Sequence, residues 1–226
     1  MQSGQTKGDD RPRIFLIHAT PLAIQPIATS FARLWPEAVL CNLLDDSLSA
    51  DLARTGVLDA AMIARFLALA GYANSTAAGG ILFTCSAFGP AIEACRLALS
   101  IPVLKPNEAM IDEALARGGK IGLLATFAPA LESMAEEFRA RAAELDAILE
   151  LRARLVPDAF GELQQGNAAR HDALIASEAR ALEDCELICL AQFSMARAAV
   201  PAAKDAGRPV LTTPDSAVAR LKKLVT

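Results

Sequence analysis

Two stretches decide the fold: Ile81-Leu82-Phe83-Thr84-Cys85-Ser86-Ala87-Phe88-Gly89-Pro90 and Leu187-Ile188-Cys189-Leu190-Ala191-Gln192-Phe193-Ser194. Each begins with a short apolar run that ends at a cysteine. Each run reads as a buried strand delivering its cysteine to a turn that opens a helix. Working outward, strands are expected at 13–18, 38–43, 80–85 and 102–104, then at 120–126, 148–155, 186–189 and 209–211. Helical spacing fills the intervals at 24–34, 58–69, 90–99, 108–116, 129–145, 170–182, 195–206 and 216–224, while 45–52 reads as a polar loop. Strands alternating with helices of about 10–15 residues call for right-handed βαβ units and parallel sheets.

The halves repeat each other. Ile14 through Thr20 lines up with Ile121 through Thr126, 107 positions on and one residue shorter. Phe31-Ala32-Arg33 is echoed by Phe138-Arg139-Ala140-Arg141, and Pro102-Val103-Leu104 by Pro209-Val210-Leu211. The two cysteines lie 104 positions apart. One order of elements occurring twice indicates duplication. The expected fold is α/β, with two pseudo-symmetric lobes, each a parallel sheet flanked by helices, and an active site in the cleft between them. Residues 1–12 are expected to be a polar, disordered leader, 13–118 the first lobe and 119–226 the second, with the C-terminal helix free to pack back on the first.

Composition narrows the function. The chain has 226 residues, 53% hydrophobic and 21% charged, with aromatics at only 5%, which suits aliphatic helices packed on parallel sheets. A net charge of -4 gives no electrostatic reason to expect nucleic acid or an anionic membrane. No run reaches the roughly 18 apolar residues of a membrane span, and the first residues lack a signal peptide's apolar stretch. Five cysteines, an odd number, argue for free thiols in a reducing cytoplasm.

Ligands of open α/β sheets bind beyond the carboxyl ends of the strands, where Thr20, Cys85, Thr126 and Cys189 are expected. A helix start after each cysteine would favour its thiolate and attract a substrate carboxylate. That carboxylate would be held by backbone N–H groups following the cysteines, at Ser86, Ala87 and Leu190, with the hydroxyls of Thr20, Ser86 and Thr126. His18, ending the first strand, either assists proton transfer or binds the substrate carboxylate, or simply bonds a neighbouring loop. One thiolate could then remove an α-proton from one face while the other thiol returns one to the opposite face. Neither metal nor other cofactor is needed.

The duplicated half with a strand-end cysteine resembles the aspartate/glutamate racemase superfamily, which includes hydantoin racemases, maleate isomerases and arylmalonate decarboxylases. The resemblance runs from about Arg13 to Val225. It implies a cofactor-independent isomerase, a racemase or epimerase with its site between two lobes, Cys85 and Cys189 as the catalytic pair, and Thr20 and Thr126 in cleft loops. The substrate would be a small carboxylate, amino acid or hydantoin. Departures are visible: Ser86 and Ala87 stand where glutamate racemases carry Asn-Thr, Leu190 and Ala191 where they carry Thr-His, and His18 replaces an acidic residue.

Plainer readings stand beside these. Cysteine is among the most buried residue types, and only their matched positions single out Cys85 and Cys189; Cys41, Cys95 and Cys185 read as packing residues. His171 reads as an exposed or capping residue. Two rival functions fit the same pattern: cis–trans isomerisation of a maleate-type diacid by covalent cysteine addition, and a non-catalytic small-molecule binder. Exposed apolar helix faces could support a homodimer.

Overall fold

The computed structural model describes residues 11–226, so the expected leader, apart from Arg11 and Pro12, lies outside the described residues. The first sheet holds β1 (Arg13–His18), β2 (Val39–Leu44), β3 (Gly80–Phe83) and β4 (Val103–Leu104) in the order β2-β1-β3-β4, every pair parallel. The second holds β5 (Lys120–Ala125), β6 (Glu150–Leu155), β7 (Leu187–Leu190) and β8 (Val210–Thr212) in the order β6-β5-β7-β8, again parallel throughout. The two-lobed α/β fold read from the sequence is the fold observed.

In the first lobe the helices are α1 (Ile24–Leu34), α2 (Ser47–Thr55), α3 (Ala60–Ser75) and α4 (Gly89–Ala98). After β4 come α5 (Glu108–Arg117), α6 (Ala128–Glu144), α7 (Ala159–Gln164), α8 (Ala168–Arg180), α9 (Ala199–Ala206) and α10 (Thr213–Val225). Short 3-10 turns cover Pro21–Ala23, Ser86–Phe88 and Phe193–Ala198. Helix α2 replaces the expected loop: Leu48 is buried and Leu52 packs on the same cluster one turn on, giving an apolar face that the polar residues around it disguise. Helix α3 starts where the Asp59 side chain accepts the Met62 N–H at 2.9 Å, and it buries Met62, Phe66, Ala70 and Ala73 along one stripe.

Alternation along the strands sorts four apolar layers. Phe15, Ile17, Ile81 and Phe83 face α3 and α4, while Ile14, Leu16 and Leu82 face α1. In the second sheet Ile121, Leu123, Leu187 and Cys189 face α6, while Leu124, Ile188 and Leu190 face α8 and α9. The helices after β4 and β8 cross over. Helix α5 sends Met110, Ile111, Ala114 and Leu115 into the second lobe's core. Helix α10 sends Ala217, Val218 and Leu221 into the first lobe's core, against Ile14, Phe31, Trp35 and Leu82.

Gly80 permits the close approach of α10, because a Cβ there would sit 3.0 Å from Leu221 Cδ1. Arg33 and Ser30 bond Asp215 at 2.5 and 2.6 Å across the same junction. Full burial of a Val or Leu side chain is worth about 1.5–3 kcal/mol. An exposed ion pair contributes about 0–1 kcal/mol. Apolar packing therefore holds the lobes together, and the Asp215 bonds set its register.

Candidate active site

The register of the two sheets gives the internal equivalence of the lobes residue by residue. Ile14 pairs with Gly80 and Ile81 with Val103, as Ile121 pairs with Leu187 and Ile188 with Val210. Each of those pairs is 107 positions from its counterpart. Applied through β3 and β7, that spacing makes Cys189 the counterpart of Leu82, and Gln192 the counterpart of Cys85. Local structure agrees. Cys85 (φ -128°, ψ 121°) and Gln192 (φ -125°, ψ 144°) both stand in extended backbone immediately before a 3-10 turn.

Cys85 follows β3, half-buried on the face that carries Ile81 and Phe83. A small gap too tight for a water lies beneath it, lined by Ile17, His18, Ala19, Leu48, Phe66 and Phe83. Phe88 anchors the turn from beneath, fully buried and with its ring 4.8 Å from that of Phe66. Burial pushes the Cys85 thiol up from its ordinary pKa, and a hydrogen bond from the Ala87 backbone N–H pulls in the other direction. The resting group is therefore a thiol.

Cys189 is placed differently from the expected strand end. It lies inside β7, flanked by Leu123 on β5 and Leu211 on β8, and it is 0% exposed among Met110, Ala114 and Phe138. Burial, reinforced by the charge of Glu113, drives its pKa upward. Leu190 is fully buried on the opposite face of the sheet, toward α8 and α9. Cys185 also lies on that face, so Cys185 and Cys189 point into different cores despite their spacing of four. Among the described residues, no three His, Cys, Asp or Glu side chains gather as a metal-binding group.

His18 is fully buried at the end of β1 and bonds on both ring nitrogens. Asn42 Oδ1 lies 2.9 Å from Nε2, and Thr84 Oγ1 lies 2.8 Å from Nδ1. An amide oxygen only accepts, so Nε2 carries the proton and Nδ1 accepts from the Thr84 hydroxyl. Burial lowers the His18 pKa, partly opposed by the Asn42 bond, which keeps the ring neutral. His18 thus bonds Asn42 in β2 and Thr84 just after β3.

Thr20 caps the turn at Pro21–Ala23, its hydroxyl accepting the Leu22 N–H at 3.4 Å. Ser86 and Ala87 are exposed in the turn after Cys85. Thr126 is buried, and it donates twice to Gln192 Oε1, from its backbone N–H at 2.7 Å and from its hydroxyl at 3.0 Å. The turn after Gln192 packs against α1 and the turn at Pro21–Ala23, bringing this loop of the second lobe to the strand ends of the first. His171, expected exposed or capping, is buried and bonds Asp172 at 2.8 Å.

Gln192, Asn42 and Thr84 were not assigned a role from sequence. Gln192 was within reach: carrying the strand spacing of 107 to Cys85 leads to it, whereas the cysteine spacing falls three short. A wider recess of about 910 Å³ lies away from these strand ends, between Lys105, Glu137, Arg141 and Arg220. Its Arg141 and Arg220 are engaged by Asp112, and Arg96 by Glu108, so it offers no unpaired charge from those three.

A two-lobed α/β chain with duplicated halves and a thiol at a strand end belongs to a recognisable class of enzyme folds. The chain is a member of the Asp/Glu/hydantoin racemase family, whose model matches residues 20–221. Similar solved structures include allantoin racemase from Klebsiella pneumoniae (TM-score 0.69, 18% identity, 95% of this chain and 87% of that one). An aspartate racemase homologue from Pyrococcus horikoshii gives TM-score 0.71 at 16% identity, covering 94% of this chain and 98% of that one. The Gly74Cys mutant of arylmalonate decarboxylase gives 0.65 at 17%, covering 95% and 93%. No curated protein matches the sequence. Among the described residues, no helix is long and apolar enough to cross a membrane.

Proposed function

We propose that this chain is a cofactor-independent enzyme that transfers a proton at the α-carbon of a small carboxylate, amino acid or hydantoin-like compound, with Cys85 as the acid/base group. The observation that carries the reading is the position of Cys85: half-buried just past the end of β3, at the start of a turn, and bonded by the Ala87 N–H. Family membership supports the reaction class, and racemases among the similar structures support the substrate class. The thiolate removes the α-proton, and the resulting thiol returns it. The sequence-based expectation paired Cys85 with Cys189. A fully enclosed sulfur in mid-strand argues for leaving Cys189 out of the proposed site and treating it as packing. The proposed setting is the cytoplasm, on the ground of five free cysteines.

The test is α-proton exchange in D₂O, followed by NMR, on a panel of L- and D-aspartate, L- and D-glutamate, allantoin and phenylmalonate. Exchange in one compound, abolished in Cys85→Ala and kept in Cys189→Ala, is the expected result. Exchange that survives in Cys85→Ala sinks the reading.

One observation favours a second reading. A single thiol in the cleft is sufficient for covalent addition to an unsaturated diacid, which allows rotation about the saturated bond before elimination. A mass increase of one maleate on the Cys85 peptide would distinguish it.

A further inference from the structure

Gln192 occupies in the second lobe the place of Cys85 in the first, and its amide is held in one orientation. Both Thr126 donors converge on Oε1, at 2.7 and 3.0 Å. A backbone N–H cannot act as an acceptor, so the amide cannot turn over without setting its own N–H against the Thr126 N–H. Nε2 is therefore directed away from Thr126, and it has no hydrogen-bond partner among the described residues. Thr126 is buried, so the oxygen end of the amide is fixed, while Gln192 itself remains partly open. A carboxamide has no proton to exchange at neutral pH; what it supplies is a fixed N–H donor.

We propose that Gln192 is a catalytic residue that donates from Nε2 to the substrate oxygen on which negative charge develops, that Thr126 positions it, and that the enzyme consequently works on one face of the α-carbon. This rests on the reading of Cys85 as the proton-transfer group. The Cys85 thiolate takes the α-proton and becomes a thiol. The C–H electron pair becomes the bond between the α-carbon and the carboxyl or ring carbonyl carbon, and the carbonyl π pair moves to oxygen. Gln192 Nε2–H bonds that oxygen, where a preorganised donor is worth most. The thiol then returns a proton to the same face, and the π pair returns from oxygen. Every atom is accounted for, and no group on the opposite face supplies a proton. Substrates that suit this site are those in which one-face proton delivery is the whole reaction, such as stereospecific exchange or protonation after loss of carboxylate.

The test follows both deuterium and configuration, by NMR and chiral chromatography, on the same panel in D₂O for the wild type, Gln192→Ala, Gln192→Cys and Thr126→Val. The wild type is expected to exchange the α-proton of one enantiomer with retention and to form no opposite enantiomer. In Gln192→Ala, kcat falls about 10²–10³-fold with KM changed little, the signature of a lost oxyanion donor. Thr126→Val keeps the backbone donor and shows a smaller loss, again in kcat. Gln192→Cys restores a thiol to the second lobe and yields the opposite, deuterated enantiomer. That gain cannot come from a merely structural role.

A wild type that interconverts enantiomers as fast as it exchanges them overturns the proposal and leaves the role of Cys85 standing. An unchanged kcat in Gln192→Ala does the same. No exchange anywhere on the panel overturns the proton-transfer reading itself, and this proposal with it.

Discussion

Thiol alkylation separates the two cysteines that sequence places on equal terms. Cys85 is half-buried in the turn after β3, so its sulfur meets solvent without unfolding and iodoacetamide reaches it in the native state. Its pKa is raised above 9.0, so at pH 8 less than about a tenth is thiolate and labelling is slow but direct. Cys189 is 0% exposed inside β7, and labelling it requires opening the second sheet. With a global stability of about 5–15 kcal/mol, even the lower bound leaves a reactive fraction near 10⁻⁴, since about 1.4 kcal/mol corresponds to tenfold. After the reduced thiolate fraction of Cys85 is allowed for, its labelling should exceed that of Cys189 by roughly 10³-fold.

The assay is timed alkylation at pH 8 followed by peptide mass spectrometry. Cys85 and half-buried Cys41 are expected to react first, with Cys95, Cys185 and Cys189 requiring denaturant. Labelling of Cys189 within tenfold of Cys85 in native buffer would refute the buried placement and bring back a two-thiol site.

Three further outcomes follow from the same physics. Because the Cys85 pKa is raised, kcat/KM for α-proton exchange should keep rising with pH from 7 to 9; a plateau near pH 7 would show a depressed thiol instead. The His18 pKa is lowered on folding, so its contribution to stability is present above its unfolded value of 6.5 and is lost as pH falls from there toward the folded value; the melting temperature of His18→Gln should show a shallower acid dependence over that window. Leu221→Ala, which empties the contact of α10 with the first sheet, should cost about 2–5 kcal/mol by urea unfolding, whereas Arg33→Ala on the exposed pair with Asp215 should cost about 1 kcal/mol or less. Equal effects would mean that the ion pair holds the lobes.

The fold class and the duplication are legible in the chain alone. Strand and helix periodicities are local, and the buried parallel strands left uninterrupted apolar runs such as Ile14 through Ile17 and Ile81 through Phe83. The chain also puts Cys85 at a strand end, because the Ser86–Phe88 turn and the Gly89-Pro90 helix start follow it directly. The place of Cys189 is not legible in the same way. An apolar run ending at a cysteine looks the same whether the strand stops there or continues, and Leu187–Leu190 continues by one residue and leads into Ala191 before its turn.

Two spacings compete in the sequence, 107 from the strands and 104 from the cysteines, and the paired strands of the assembled lobes select 107, matching Cys189 to Leu82 and Gln192 to Cys85, because register is a property of paired strands and not of one segment. Only tertiary structure decides the exchange of α5 and α10 between cores and the Thr126–Gln192 contact. These join residues far apart in the chain, and their partners are chosen by the shape and unpaired donors that the assembled lobes present.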